Sequence, residues 1–237
     1  MKLSGSERPR PRRPANPMTR LPRSFFARPT LEVARALLGQ RLVRLRAANR
    51  SAVPERLAGL IVEAEAYIGE DDLACHAHAG PTARNQVMYG PPGHAYVYFT
   101  YGMHWMLNFV TEAEGFPAAV LVRAIMPMSG LVTMRRLRRD RPDRILADGP
   151  AKLTQALDID GAFNGCDLCG SRASLFVEAA RPVAESAVRY GPRIGLNNTP
   201  EPWKSLPWNV KVDQTSEFFK THTCVKRDQQ QGDMDVI

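Results

Sequence analysis

Along the chain, one segment separates its apolar and polar positions most sharply. From Leu60 to Ile68 the residues alternate: Leu60, Val62, Ala64, Ala66 and Ile68 to one side, Ile61, Glu63, Glu65 and Tyr67 to the other. That period predicts a β-strand with one buried face. Two carboxylates and an aromatic on the opposite face are costly to hold near a core unless something polar meets them there. Upstream, Thr30 as cap, Glu32 in the first turn and Gly39 at the end predict a helix, with Leu31, Ala34 and Leu38 as its apolar stripe. Arg41–Leu45 reads as a short strand, followed by a polar loop to Leu57. Gly69–Asp72 breaks the long strand, a turn carries Cys75 and His76, and a short helix stops at Gly90–Gly93.

The segment His94–Val110 is rich in aromatic and β-branched residues and has a glycine near its middle, which predicts a hairpin with its tip at Tyr101–Gly102–Met103. Tyr101 at such a tip has no obvious place to be buried. Ala118–Ile125 is a further strand, and it sets Arg123 among apolar neighbours, where a guanidinium calls for a carboxylate partner. Ser129–Arg139 reads as a capped helix ending in Arg135, Arg136, Arg138 and Arg139. A second helix, Ala151–Leu157, opens behind Gly149–Pro150, with Lys152 beside its start. Ser174–Glu178 is a strand, Val188–Leu196 an irregular extended stretch, and the last thirty-odd residues are polar and weakly patterned. The mixture of elements predicts a single mixed α/β (α+β) domain.

Composition narrows the partners. The 237 residues carry a formal net charge of +8, with 26 arginines against 6 lysines. A basic excess of this kind favours a polyanionic partner, nucleic acid before membrane, and arginine suits bidentate phosphate contacts. No apolar run reaches the length of a membrane-spanning helix, and no apolar segment follows the basic N-terminus as a secretory signal would require. Four cysteines in a chain of this size do not make a disulfide framework, which points to a reducing, cytoplasmic compartment. Residues 1–20, rich in arginine and proline, predict a disordered basic leader, with Met18 as an alternative start. The expected domain is 21–212, with a flexible polar tail over 213–237.

Several separated motifs resemble the alkyladenine (3-methyladenine) DNA glycosylase family in its bacterial form. They are Glu65–Ala–Tyr67 with His76, the hairpin Tyr96–Val–Tyr98–Phe–Thr–Tyr101–Gly–Met103 with Asn108, Val122–Arg123–Ala124 and Gly149–Pro150–x–Lys152–Leu153. Pro22–Phe26 and Arg193–Ile194–Gly195 fit the same pattern, so the resemblance runs from about Leu21 to Leu196. It implies a curved, mainly antiparallel sheet with surrounding helices and a protruding β-hairpin. It also implies a monomeric, monofunctional enzyme that flips a damaged purine from double-stranded DNA and hydrolyses its N-glycosidic bond, without cofactor or metal. By the same resemblance Glu65 activates the water, and Arg123 and the backbone carbonyl of Ile194 hold it. Tyr67, His76 and Tyr98 grip the flipped base, Asn108 disfavours guanine, and Tyr101 fills the gap in the duplex. The chemistry of the residues agrees, because a carboxylate near the sugar both accepts the proton of water and steadies oxocarbenium character. Glu63 has no counterpart role and is read as structural.

The sequence departs from the family at two places. The loop after His76 reads His78–Ala–Gly–Pro–Thr–Ala–Arg84, and beyond Leu196 only the tryptophans Trp203 and Trp208 look familiar, so the family's last strand is expected to be replaced or disordered. Two other readings compete. Glu70, Asp71 and Asp72 with His76 and His78 could serve a metal-dependent nuclease, and Cys166–x–x–Cys169 could supply half a zinc site. A DNA-binding module without catalysis would need neither Glu65 nor Arg123. From the charge balance, duplex binding is expected to weaken steeply with salt and to vary little with undamaged sequence. A binding constant that stays flat through a salt titration would count against any nucleic-acid partner.

Overall fold

The computed structural model describes residues 19–47 and 53–221. The expected leader lies outside the described residues as far as Met18, and so does the tail from residue 222. Arg20 is held firmly: its guanidinium donates to the Gly170 and Ala173 carbonyls and lies 3.8 Å over the Phe176 ring. Among the described residues no helix is long and apolar enough to cross a membrane.

The chain begins with two helices, α1 (Arg23–Phe26) and α2 (Thr30–Leu37), then enters β1 (Arg41–Arg46) and the fourteen-residue β2 (Glu55–Ile68). A hairpin follows, β3 (Ala95–Thr100) and β4 (His104–Val110), and then β5 (Ala118–Ser129). Helices α3 (Leu131–Leu137) and α4 (Pro150–Ala156) precede three short strands, β6 (Leu175–Glu178), β7 (Val188–Gly191) and β8 (Asn209–Val212). All pairings are antiparallel, and the sheet order is β3-β4-β5-β2-β1-β6, with β8 joined to both β2 and β7.

Strand β2 is the spine. One edge pairs with β5 from Ala58 to Ile68, but the other edge is divided. Glu55–Leu60 pairs with β1, and Glu63–Glu65 pairs with β8. At the changeover Ile61 exchanges backbone hydrogen bonds with Gly39 and Gln40 at 2.8 and 2.9 Å, so no buried amide is left over where the sheet forks. The β2–β5 register shifts on both sides of Glu63, which marks a β-bulge. The bulge overturns part of the alternation read from sequence. Ile61 lies in the main core together with Ala64 and Ala66, not on the side of Glu63 and Glu65. One extra residue at Val62 reverses the phase.

Past the bulge the two faces of the sheet are sharply different. Ala64, Ala66, Val97, Leu107, Phe109, Val120 and Val122 face the main core, where α2 supplies Val33, Ala34 and Leu37 and α4 supplies Leu153 and Ala156. The opposite face carries Tyr96, Val110 and Ala119 in a smaller cluster, with Tyr67 and Tyr98 packed on it. Thus the same strands build a dry face and a polar, aromatic one.

Further local expectations are corrected. The buried stripe of α2 is Thr30, Val33, Ala34 and Leu37, and Leu31 is exposed. Pro29, not Thr30, takes the cap position, and the Thr30 hydroxyl turns inward to bond Thr111 and Glu112 at 2.9 and 2.8 Å. Ser129 ends β5 instead of capping a helix, because Gly130 at φ 77 turns the chain before α3 begins. The final strand is present as β8, and beyond it Phe218 and Phe219 pack against the main core.

Gly39, at φ 82, follows α2 and makes the turn into the sheet fork; an added methyl would run into the Arg181 carbonyl oxygen. Gly39→Ala is expected to lower stability by more than about 1 kcal/mol, since left-handed backbone and a backbone clash combine. A urea midpoint equal to that of the parent would refute this account of the turn.

Candidate active site

The polar face converges on Glu65, whose side chain has no solvent exposure. Four donors meet its two oxygens. Ile194 N–H (2.7 Å) and Asn209 Nδ2 (3.0 Å) donate to Oε1; Arg123 (3.1 Å) and the Tyr67 hydroxyl (3.0 Å) donate to Oε2. An ionised carboxylate is an acceptor only, and four donors fill its lone-pair positions. The same Arg123 and Asn209 also donate to Glu63 Oε1, at 3.2 and 2.9 Å. Glu65, Arg123, Glu63 and Asn209 therefore form a closed ring of alternating acceptors and donors. The register explains it: Asn209 stands directly across from Glu65 on β8, and Leu121, two residues before Arg123, stands across from it on β5.

Beside the carboxylate is a cavity of about 320 Å³, lined by Tyr67, His76, Tyr96, Tyr98, Asn108, Arg123, Ile194 and the hairpin tip Tyr101, among others. Of the residues that the resemblance names, Tyr67, His76, Tyr98, Tyr101, Asn108, Arg123 and Ile194 line this one cavity, and Glu65 is bonded to three of them from outside the lining. His76 meets the Tyr98 ring edge-on at 4.5 Å and hydrogen-bonds the Tyr96 hydroxyl through Nδ1 at 2.9 Å. Asn108, buried, donates from Nδ2 to the Tyr96 carbonyl at 3.0 Å, which fixes its amide against the cavity wall. Burial, and then the Glu65 charge, raises the Tyr67 hydroxyl well above its ordinary range, so it stays a donor. Burial among the rings likewise pushes Tyr98 up to about 12. For His76, burial, with the Arg84 and His78 charges adding, pushes the imidazole down to about 4. Its outer edge is open to solvent.

At the hairpin tip, Met103 N–H bonds the Thr100 carbonyl across Tyr101 (φ 51) and Gly102 (φ 64). Both central residues are left-handed, as a type I′ turn requires. Glycine takes that conformation freely, but tyrosine does not. Tyr101 is also 81% exposed, so neither backbone preference nor burial accounts for an aromatic there.

A second buried pair supports the cavity from behind. Arg193 bonds Asp72 twice, at 2.5 and 2.8 Å, and both side chains have no solvent exposure. Its guanidinium lies between the Tyr67 and Trp208 rings, at 4.7 and 4.8 Å, and donates to the Ala66 and Trp203 carbonyls. Asp72 also accepts from the N–H groups of Ile68 and Ala74. One ion pair therefore ties the end of β2, the turn bearing His76 and the segment bearing Ile194.

Sequence reasoning missed this pair, and it missed Asn209. Asp72 and Arg193 stand 121 positions apart in the chain, and no local signal links them. Asn209 had one: Asn209–Val210–Lys211–Val212 alternates with period two, with Val210 and Val212 in the core. The acidic loop is occupied by protein contacts: Glu70 accepts from Tyr89, Asp72 holds Arg193, and His78 Nδ1 is 3.0 Å from the Cys75 carbonyl. Among the described residues no three His, Cys, Asp or Glu side chains are grouped to hold a metal. Cys166 and Cys169 contact different backbone carbonyls, Ala162 and Gly93, and Cys224 lies outside the described residues.

A forked antiparallel sheet thus carries a buried carboxylate–guanidinium pair beside an aromatic slot. The family model described as Methylpurine-DNA glycosylase (MPG) matches residues 24–216. Relatives that carry the provisional name 3-methyladenine DNA glycosylase include three that align over most of this chain. That of Methanocella arvoryzae is 51% identical over 78% of this chain and 90% of its own length. Those of Carboxydothermus hydrogenoformans and Chlorobaculum parvum are 50% and 44% identical, over 84% and 86% of this chain and 98% and 92% of their own lengths. The chain belongs to the methylpurine-DNA glycosylase family, whose members are hydrolases of N-glycosyl bonds that act on DNA in its repair.

The lowered His76 imidazole gives a pH expectation. A group whose value is depressed on folding contributes stability that is fully present above its unfolded value near 6.5 and is lost as pH falls toward 4. The parent is expected to lose more stability than His76→Gln between pH 7 and pH 4.5, read as urea midpoints. Parallel losses in the two proteins would show that His76 is not held neutral.

Proposed function

We propose that this chain is a monofunctional glycosylase that removes alkylated purines from double-stranded DNA, 3-methyladenine foremost, by water activated at Glu65. The observation that carries the reading is the fully buried Glu65 carboxylate, bonded by Arg123 and Tyr67, both of which line an aromatic-walled cavity. The names of the relatives support the choice of lesion. A purine in a duplex cannot reach such a cavity, so the nucleotide is flipped out and its base enters between Tyr67, His76 and Tyr98. Tyr101 occupies the vacated stack. An adventitious guanine is disfavoured because its 2-amino group crowds Asn108. A 3-methyladenine base is cationic, and a neutral His76 accepts it without charge repulsion.

In the reaction the water oxygen bonds to C1′ as the C1′–N bond breaks, and that electron pair leaves with the base. The proton of water goes to Glu65. The Ile194 carbonyl and Arg123 orient the water, and the buried carboxylate steadies the positive sugar. Because all four acceptor positions of Glu65 are filled, water must displace one donor, and the Tyr67 hydroxyl is the one that can rotate away. Hypoxanthine, a neutral leaving group, would need a proton as it departs and is the more demanding substrate. No amine attacks the sugar, so no Schiff base forms and the strand is not nicked. The enzyme is expected to act as a monomer.

Glu65→Gln keeps the shape of the side chain and removes the base. It is expected to bind lesion-containing duplex as the parent does, while base release falls by roughly a hundredfold or more. The measurement is single-turnover release from a 3-methyladenine duplex with EDTA present, which also separates metal-dependent cleavage. Release by Glu65→Gln at the parent rate would overturn the mechanism.

A further inference from the structure

Glu63 is the half-buried carboxylate that the mechanism above leaves without work. Its side chain is 18% exposed, it is not among the residues lining the cavity, and its Oε1 is taken up by Arg123 and Asn209. Yet it sits where the β2–β5 register is broken on either side of it, and bulges near active sites serve to re-aim a side chain. Here the re-aimed atom is Glu63 Oε1. It accepts from Arg123 Nε at 3.2 Å and from Asn209 Nδ2 at 2.9 Å, the two side chains that also donate to Glu65.

We infer that Glu63 is a positioning residue for base release, acting with Asn209: it fixes the rotations of Arg123 and Asn209 so that both point at Glu65. This inference rests on the glycosylase reading of the site. A guanidinium at the end of three methylenes has several rotamers, and one bond to Glu65 does not choose among them. A second bond from Nε to a carboxylate on the same strand fixes the plane of the fork. The Asn209 amide is likewise defined by two acceptors, which orients Nδ2 inward and leaves Oδ1 away from the carboxylates. Without Glu63, Arg123 and Asn209 are free to swing, and the carboxylate that must receive the proton of water loses its fixed position. Displacements of about 1 Å at such a site can cost on the order of a hundredfold in rate.

The effect should be on the chemical step and not on DNA capture, because Glu63 touches neither the cavity nor the hairpin tip. In single-turnover release of 3-methyladenine at saturating enzyme, Glu63→Ala is expected to be roughly tenfold to a hundredfold slower, with duplex affinity unchanged. Glu63→Gln retains an oxygen at Oε1 that can accept both bonds, and it is expected to restore most of the rate. In a Glu65→Gln background, Glu63→Ala is expected to cause no further loss, since there is no base left to position. A merely structural role would lower the rate in both backgrounds and would be seen as a lower folded fraction. Should Glu63→Ala fail to fold, Asn209→Ser tests the same ring, with a loss of rate expected only where Glu65 is intact. Parent rates in Glu63→Ala, or a Glu63→Gln as slow as Glu63→Ala, would overturn the inference while leaving the glycosylase reading intact. Absence of any release by the parent protein would overturn the reading on which it rests.

Discussion

A carboxylate with no solvent exposure, at the centre of a sheet, is the constraint from which much of this architecture follows. Removing such a charge from water costs several kcal/mol even after relaxation, and the cost is met only when its lone pairs are filled by well-placed donors. Glu65 takes those donors from four parts of the chain: Tyr67 on its own strand, Arg123 on β5, Asn209 on β8 and the Ile194 amide after β7. Loss of any of these without a replacement leaves the charge short of a partner. The strand order around β2, and the return of the chain to its second edge after more than a hundred residues, are thus tied to one side chain.

The fork in the sheet is the device that makes room for this. Had β1 continued along β2, the edge opposite Glu65 would be filled by β1 instead of β8, and Asn209 would have no route to the carboxylates. The bulge ends the first pairing and changes the phase of the strand, and Gly39 and Gln40 satisfy the backbone at Ile61. The same change of phase lets a strand enter with Leu57 and Ile61 toward the core and leave with Ala64 and Ala66 toward it. Glu63 and Glu65 consequently share the polar face without a large apolar residue being turned out to meet them.

This is also why the chain was readable in some places and not in others. The hairpin was legible because Tyr96 and Tyr98 alternate with Val97 without interruption, and Gly102 marks the turn in the sequence. The face of Glu65 and Tyr67 was legible because alternation holds beyond the bulge. At Ile61 it failed, since a single inserted residue leaves no mark in composition and reverses everything before it. The Thr30 error is similar in kind: a residue that looked like a cap is drawn into the first turn by Thr111 and Glu112, eighty-odd residues away. Asp72 and Arg193 were hidden because each looks locally like surface charge, one in an acidic run and the other beside Pro192. Burial of an ion pair is a property of where two distant segments meet.

The distribution of charge completes the argument. The chain is basic overall, and exposed Arg84 stands 5.3 Å over the ring of Tyr98, which lines the cavity. Behind the cavity the balance reverses: among the described residues, Glu63, Glu65 and Asp72 form ion pairs there with Arg123 and Arg193, three carboxylates to two guanidiniums. Exposed arginines act on phosphate over a Debye length and are weakened by salt, whereas the buried charges act at short range and are screened little. The two fields therefore do different work. The outer one favours any polyanion, without regard to sequence, and the inner one favours positive charge at the end of the cavity. With His76 neutral, the imidazole beside Tyr98 does not oppose that preference. On the proposed reading, DNA is held by the first field, and a cationic base on a sugar developing positive charge is selected by the second.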